Sequence, residues 1–280
     1  ASWAASMLYR LTGESRYADT ARQMMDYVLA CQQTAHIGKE KINGFFFRNT
    51  DHKVVVHFNH QSRDQIFAMA LSEIITTQPS HPKSAEWRAA AERYGDYIKK
   101  TTRYSAPYGM IPSGIYLIDE PADQESWDHQ HLFPGESAKE DFVEQLKNGF
   151  QIDDTHYLRM FPVWYSFRGN NAIILATGKG AAVLGKLLDD KELLDIAQNQ
   201  LQWVVGKNPF GQSLIYGEGS NYAYQYSALL GQTVGEIPVG IQTRGNEDVP
   251  YWPQANNATY KEVWMTSAAR WLTLVSEFLY

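Results

Sequence analysis

An all-α fold of the α/α-toroid class is predicted for this 280-residue chain by three observations. Apolar residues recur with helical period in several segments, one helical hairpin is repeated, and the stretches between hairpins are long and aromatic. With 44% hydrophobic residues the chain can bury a substantial core, and a single domain over residues 1–280 is the expectation.

Taken in order, "SRYADTARQMMDYVLA" sets Tyr17, Ala21, Met24, Met25, Val28 and Leu29 on one helix face. "SAEWRAAAERYGDYIKK" does the same with Trp87, Ala90, Ala91, Tyr94 and Ile98. "KELLDIAQNQLQWVVG" gives a third helix through Leu193, Ala197, Leu201, Val204 and Val205, closed by Gly206 and stopped by Pro209. When the N-terminal segment is slid along until Leu8 meets Leu184, Leu11 meets Leu187, Tyr17 meets Leu193, Ala21 meets Ala197, Met25 meets Leu201 and Val28 meets Val204. The apolar register survives across two helices and their turn, "TGES" in one copy and "DDKE" in the other, which defines an αα-hairpin used at least twice.

A third copy is expected in "DQIFAMALSEIITTQPSHPKSAEWRAAAERYGDYI", with Pro79 and Pro82 lengthening its turn. No such hairpin buries its apolar face alone, so several must pack together, as a toroid or as a solenoid. Periodicity leaves both open, and the segments between hairpins favour the toroid. "GFFFRNTDHKVVVHFNHQSRD", the stretch from Tyr104 to Phe150, and "NPFGQSLIYGEGSNYAYQYSALLGQTVGEIPVGIQTRGNEDVPYWPQANN" are rich in Gly, Pro, Tyr and Trp. Loops of that length are usually functional, and gathered over one end of a toroid they would form an aromatic cleft. "KVVVHF" is expected to add a short strand.

Composition excludes several partners. A net charge of -6 without a basic patch argues against nucleic acid. The single cysteine, Cys31, rules out an intrachain disulfide and a cysteine-based metal cluster. No uninterrupted apolar run approaches the roughly 18 residues that span a bilayer, so no membrane span is expected. The chain begins at Ala1-Ser2-Trp3 without an initiator Met, which predicts a piece of a longer or processed protein, and a periplasmic or extracellular location is the expectation.

No phosphate loop, H-E-x-x-H or G-x-S-x-G motif occurs, which leaves carboxylates, imidazoles and guanidiniums among aromatics as the candidates for chemistry, with no cofactor implied. "HFNHQSRDQ" groups His57, His60, Arg63 and Asp64 just before a helix. His57 and His60 lack a matching third ligand, so no metal site is expected. Asp64 serves either a site or the helix start, since Ser62 and Gln65 form a capping-box pattern. "DDTHYLRMFPVWYSFRGNN" concentrates Asp153, Asp154, His156, Arg159, Trp164 and Arg168. Its paired aspartates would either titrate unequally, freeing Asp154 as a base, or cap a helix beginning near Thr155.

"LQWVVGKNPFGQSLIYGEGSNY" resembles the C-terminal signature of glycoside hydrolase family 9 through Gly206, Asn208, Pro209, Gly211, Ser213, Gly217, Gly219, Asn221 and Tyr222. Farther on, "VGIQTRGNEDVPYWPQANNATYKEVW" is similar to the segment that carries the family's general acid, with Lys261-Glu262-Val263 where the family has Asn-Glu-Val. The resemblance implies an (α/α)6 barrel with Glu262 as the acid, and either an N-terminal portion lies outside this sequence or the mechanism differs, because the family's early Asp motif is missing. It also implies a His-His-Arg motif and an early Asp-x-Gly-Asp pair that activates water, and this sequence has neither.

Local chemistry gives Glu262 a second explanation. Thr259-Tyr260-Lys261-Glu262 matches a T-x-x-E capping box. A helix N-terminus favours an ionised carboxylate, the wrong direction for a proton donor.

The leading expectation is a glycosidase acting on a poly- or oligosaccharide. Glu262 donates the proton and Asp64 or Asp154 activates water, while His57, His60, Arg63, His156, Arg159, Trp164, Arg168, Tyr222 and Trp252 line the cleft. The arginines and histidines equally suit a lyase acting on a uronic-acid polymer, with a His or Tyr base. A non-catalytic glycan-binding protein is the third possibility.

Overall fold

The computed structural model describes residues 1–58, 61–130, 137–163, 170–226 and 231–279, the side chains at 126, 129 and 130 excepted. Its first hairpin pairs α1 (Ser2–Thr12) with α2 (Ser15–Ala30). α1 stops because Gly13 takes up a left-handed conformation, φ 71, and its N–H closes on the Tyr9 carbonyl. The Ser2 hydroxyl donates to the Ala21 carbonyl at 2.9 Å, fastening the two helices where Ala18, Ala21 and Met25 are buried.

The second hairpin joins α3 (Ile66–Thr77) to α4 (Ser84–Thr102). It buries Leu71 and Ile74 against Trp87, Ala90, Ala91, Tyr94 and Ile98, the face that the sequence spacing marks. A side chain the size of Ile98, fully buried, contributes about 1.5–3 kcal/mol.

α5 (Gln124–Gln130) and α6 (Ala138–Lys147) follow, then the third hairpin, α7 (Asn170–Leu188) with α8 (Lys191–Val204). α8 starts where the Asp190 side chain accepts from the Leu193 N–H, and Asp190 also pairs with Lys99 of α4 at 2.7 Å. α7 is 19 residues long and apolar enough by length and composition to cross a membrane, yet 67% of its apolar window is buried. Its apolarity follows from its place, since α3, α4, α8 and α10 (Met265–Val275), which follows the short α9 (Ala258–Lys261), all pack on it. Gly185 lets α8 lie close, because a Cβ there would come within 2.9 Å of the Leu194 side chain.

α1 packs on α3, α3 on α7 and α7 on α10, while α4 touches α7 and α8. Successive hairpins thus pack side by side through their first helices, α1, α3 and α7, with α10 next in the series. This is the layered arrangement of an α/α toroid, the architecture that the long loops between hairpins favour.

One small sheet interrupts the helices. β1 (Gly114–Leu117), β2 (Phe150–Gln151) and β3 (His156–Arg159) run antiparallel in the order β1-β3-β2, with Gly114 opposite Arg159 and Leu117 opposite His156. Tyr116, Trp127, Phe142, Leu146, Tyr157 and Val163 form a second apolar cluster beneath it.

Four local expectations are corrected. The helix that one reading of the Asp153-Asp154 pair places near Thr155 is a β-hairpin, because Tyr157 and Leu158 find partners on both β2 and β1. "KVVVHF" forms no strand and contributes a lone bridge, Val55 to Phe47. The Ser62–Gln65 capping box does not form, since Ser62 has φ 47 and α3 begins only at Ile66. The Thr259–Glu262 box is also absent: Asn257 caps α9 by accepting from the Thr259 N–H, and Glu262 follows the helix in extended conformation.

Candidate active site

Glu262 is set by main-chain pairing. Tyr226 N–H donates to the Lys261 carbonyl at 2.9 Å on one side, and on the other Val239 N–H donates to the Glu262 carbonyl at 2.9 Å and Gly240 N–H to Tyr260 at 3.0 Å. Residues 260–263 are therefore gripped between two loop segments. Asn171, at the start of α7, anchors one of these segments, its N–H donating to the Val239 carbonyl and its Nδ2 to Pro238. Gly240 is required there: φ is 101, and a Cβ would lie 2.3 Å from Asn171 Oδ1. The Trp264 indole N–H donates to Glu262 Oε2 at 2.7 Å, which orients the half-buried carboxyl.

The Gly- and Asn-rich signature shapes the neighbouring loop. Asn208, buried, donates from Nδ2 to the Trp203 and Gln212 carbonyls and accepts the Phe210 N–H at Oδ1. Asn221 Nδ2 donates to the Gly211 carbonyl, and Ser213 pairs with Tyr222 in a parallel bridge. These residues fold the loop back on itself and bring Tyr216, Tyr222 and Tyr224 together.

Asp64 lies at a second locus. With His57, Phe67, Tyr94, Tyr97 and Ser113 it lines a cleft of about 50 Å³, room for a few waters. Its Oδ2 is inaccessible and has no hydrogen-bond partner among the described residues, although the residue as a whole keeps some exposure. Burial pushes its carboxyl up to about 7, against the opposing pull of a main-chain hydrogen bond and the Arg270 charge. Burial also raises the Tyr94 and Tyr97 hydroxyls. The His57 Nε2–H donates to the Ile115 carbonyl at 2.9 Å, and its ring stacks on Tyr116 at 3.8 Å. Gly114 makes room for it, since a Cβ there would stand 3.2 Å from the imidazole.

The other candidates disperse. Asp154 is exposed in the turn between β2 and β3. Beside it, burial alone would raise Asp153, but hydrogen bonds from Thr155 N–H and from the His156 ring and N–H outweigh this and bring it below the usual carboxylate range. His156 is thereby tied into the same turn.

Arg159 is fully buried and unavailable to a substrate: it donates to the Gln145 and Glu247 carbonyls and lies 3.5 Å from Asp248. Trp252 is buried too, donating to Gln212 Oε1 at 2.8 Å, with Lys261 Nζ 5.2 Å from its ring centroid. Arg63 is exposed, and His60, Trp164 and Arg168 lie outside the described residues. Among the described residues no cluster of three His, Cys, Asp or Glu side chains could hold a metal ion.

Sequence reasoning overlooked two buried carboxyls. Burial pushes Glu120 up to about 8, though it accepts the Val55 and Leu117 N–H groups, and pushes Asp248 up to about 6, though Arg159 and the Met160 and Phe161 N–H groups oppose this. Both pin loops rather than face a cleft. It also overlooked Tyr224 and Tyr226, for which the alternation in "NYAYQY" was the available signal.

The model for "Glycosyl hydrolase family 9" matches residues 1–228. No curated protein sequence matches. Similar solved structures include the cellulase Cel9M of C. cellulolyticum, with a TM-score of 0.34 and 16% identity over 77% of this chain and 50% of that one. The same cellulase in complex with cellobiose gives 0.35 and 18% over 76% and 50%. The catalytic domain of Clostridium thermocellum CelT gives 0.34 and 14% over 99% and 78%. The chain spans about half the length of the Cel9M chain.

Proposed function

The chain belongs to glycosyl hydrolase family 9, and from that premise we propose that it hydrolyses a glycosidic bond in a poly- or oligosaccharide, with Glu262 as general acid. The observation that carries the role of Glu262 is its setting: a carboxyl whose backbone is fixed by main-chain pairing on both sides and whose Oε2 is held by the Trp264 indole. As the C–O bond to the leaving group breaks, water attacks the anomeric carbon and gives its proton to a second carboxylate. Asp64 suits that task better than Asp154, because a carboxyl poised near 7 in the lining of a small cleft is a competent base near neutrality, whereas Asp154 lies exposed in a turn. Inversion at the anomeric carbon requires the two carboxyls to stand about 6.5–9.5 Å apart in the working enzyme.

The lyase alternative loses support with Arg159 buried among main-chain carbonyls, where it cannot meet a uronate. The test is a panel of neutral and uronic-acid glycans, followed by reducing ends and by the absorbance of unsaturated products. New reducing ends without unsaturation are expected. Unsaturated products would overturn the hydrolase, and no turnover on any glycan would favour a binding protein.

A further inference from the structure

Two segments distant in the chain wall the Asp64 cleft: residues 55–58, and residues 111–113, which lead into β1. Residues 53–58 lie outside any helix or strand, so their place depends on the ties at either flank. On one flank Val56 N–H donates to the Phe46 carbonyl at 3.0 Å. On the other, side chains join them to β1.

Glu120 makes one of these joins. It stands three residues beyond the end of β1, in a turn that folds back, and is 3% exposed. Its Oε1 accepts the Leu117 N–H at 3.1 Å and the Val55 N–H at 3.2 Å, so one atom links the strand to the cleft segment. β1 is itself fixed, because Leu117 pairs with His156 and the Tyr97 hydroxyl accepts the Ile115 N–H at 3.2 Å. His57, two residues on from Val55, makes the second join by donating to the Ile115 carbonyl, and both joins set the same register.

Resting on the assignment of Asp64 as the base of the hydrolase, we propose that Glu120 is a positioning residue for that base: by tying Val55 to β1 it keeps the cleft wall closed over Asp64 and bulk water out. Closure matters because burial is what holds the Asp64 carboxyl above its ordinary range. A wall that swings away hydrates the carboxyl and leaves a weaker base. Among the described residues the charged and titratable groups around Asp64 are His57, Tyr94 and Tyr97 of α4, Arg270 of α10 and the adjacent Arg63. Only His57 rides on the segment that Glu120 holds.

The tie can be broken without a change of charge near neutrality. Burial, with the Asp119 charge adding to it, pushes Glu120 up to about 8 against the pull of its two N–H donors. Gln is also uncharged and keeps the acceptor oxygen, whereas Leu removes it and strands two N–H groups.

Carbon-13 NMR titration of the aspartate carboxyls tests the tie, with the Asp64 resonance assigned by its loss in Asp64→Asn. The proteins compared are the wild type, Glu120→Gln and Glu120→Leu, with Glu120→Asp, which shortens the reach of the carboxyl, replacing the Leu variant should that one not fold. The expected Asp64 midpoint is about 7 in the wild type and in Glu120→Gln, and lower by about one pH unit or more in the Leu or Asp variant. The rising limb of kcat/KM moves with it, which a general loss of stability does not produce. An equal midpoint in wild type and the Leu or Asp variant, an equal fall in Glu120→Gln, or a wild-type midpoint of about 4 would overturn the proposal.

Reducing-end release keeps this reading apart from the hydrolase. A midpoint that moves as expected in a protein that releases no reducing ends would leave the tie standing and remove the hydrolysis. Release with an unmoved midpoint would do the reverse.

Discussion

Replacing Asp64 by Asn removes a carboxyl that the fold holds at a disadvantage. Burial raises it from 3.8 to about 7, so between those values the folded chain binds a proton that the unfolded chain has already lost. The contribution of Asp64 to stability is therefore fully present below about pH 4 and is lost as the pH rises through about 7. The interval from 3.8 to about 7 corresponds to about 4 kcal/mol. Glu120 and Asp248, raised to about 8 and about 6, slope in the same direction. Only the difference between wild type and Asp64→Asn isolates Asp64. Because Asn carries no charge at any of these pH values, its own packing defect shifts the whole profile without tilting it. Urea unfolding of both proteins from about pH 4 to about pH 8 should show the variant gaining about 4 kcal/mol relative to the wild type across that range. Parallel profiles would refute the claim that Asp64 is desolvated, and with it the poised base.

Three further outcomes are expected. The pH profile of kcat/KM should rise through about 7 as Asp64 ionises, and a limb unchanged in Asp64→Glu and centred near 4 would place the base elsewhere. Gly240→Ala should lower the thermal midpoint by several degrees and abolish activity, since φ 101 and the 2.3 Å approach to Asn171 cannot both accommodate a Cβ, with strain of about 1–3 kcal/mol; an unchanged melting curve would contradict this. Arg159→Met should destabilise the fold by about 3–5 kcal/mol in urea titrations at pH 8, because it strands Asp248 as an unpaired buried charge; a loss under about 1 kcal/mol would show that the pair is not needed.

The helical hairpins were legible because their information is local. Trp87, Ala90, Ala91, Tyr94 and Ile98 repeat on one face and are all buried, and the Gly206 and Pro209 stop follows α8 closely. Caps and site residues depended on partners far away in the chain. Thr259 and Glu262 matched a capping box, but Asn257 supplied the cap and pairing with residues 226 and 239 drew Glu262 into extended backbone.

Arg159 resembled a cleft guanidinium in a polar, aromatic stretch. Its partners at Gln145, Glu247 and Asp248, which make it a buried tie, are brought to it only by folding. Trp252 misled for the same reason, its indole meeting Gln212 across the loop.

The central claim, that Glu262 donates the proton to the leaving group, is tested most directly by Glu262→Gln on two substrates: a glycan that the wild type hydrolyses, and an aryl glycoside of the same sugar whose nitrophenolate leaves without protonation. The variant should lose about a hundredfold or more in kcat on the glycan and stay within a few-fold of wild type on the aryl glycoside. Full activity on both would make Glu262 a bystander, and equal loss on both would reduce it to a structural residue.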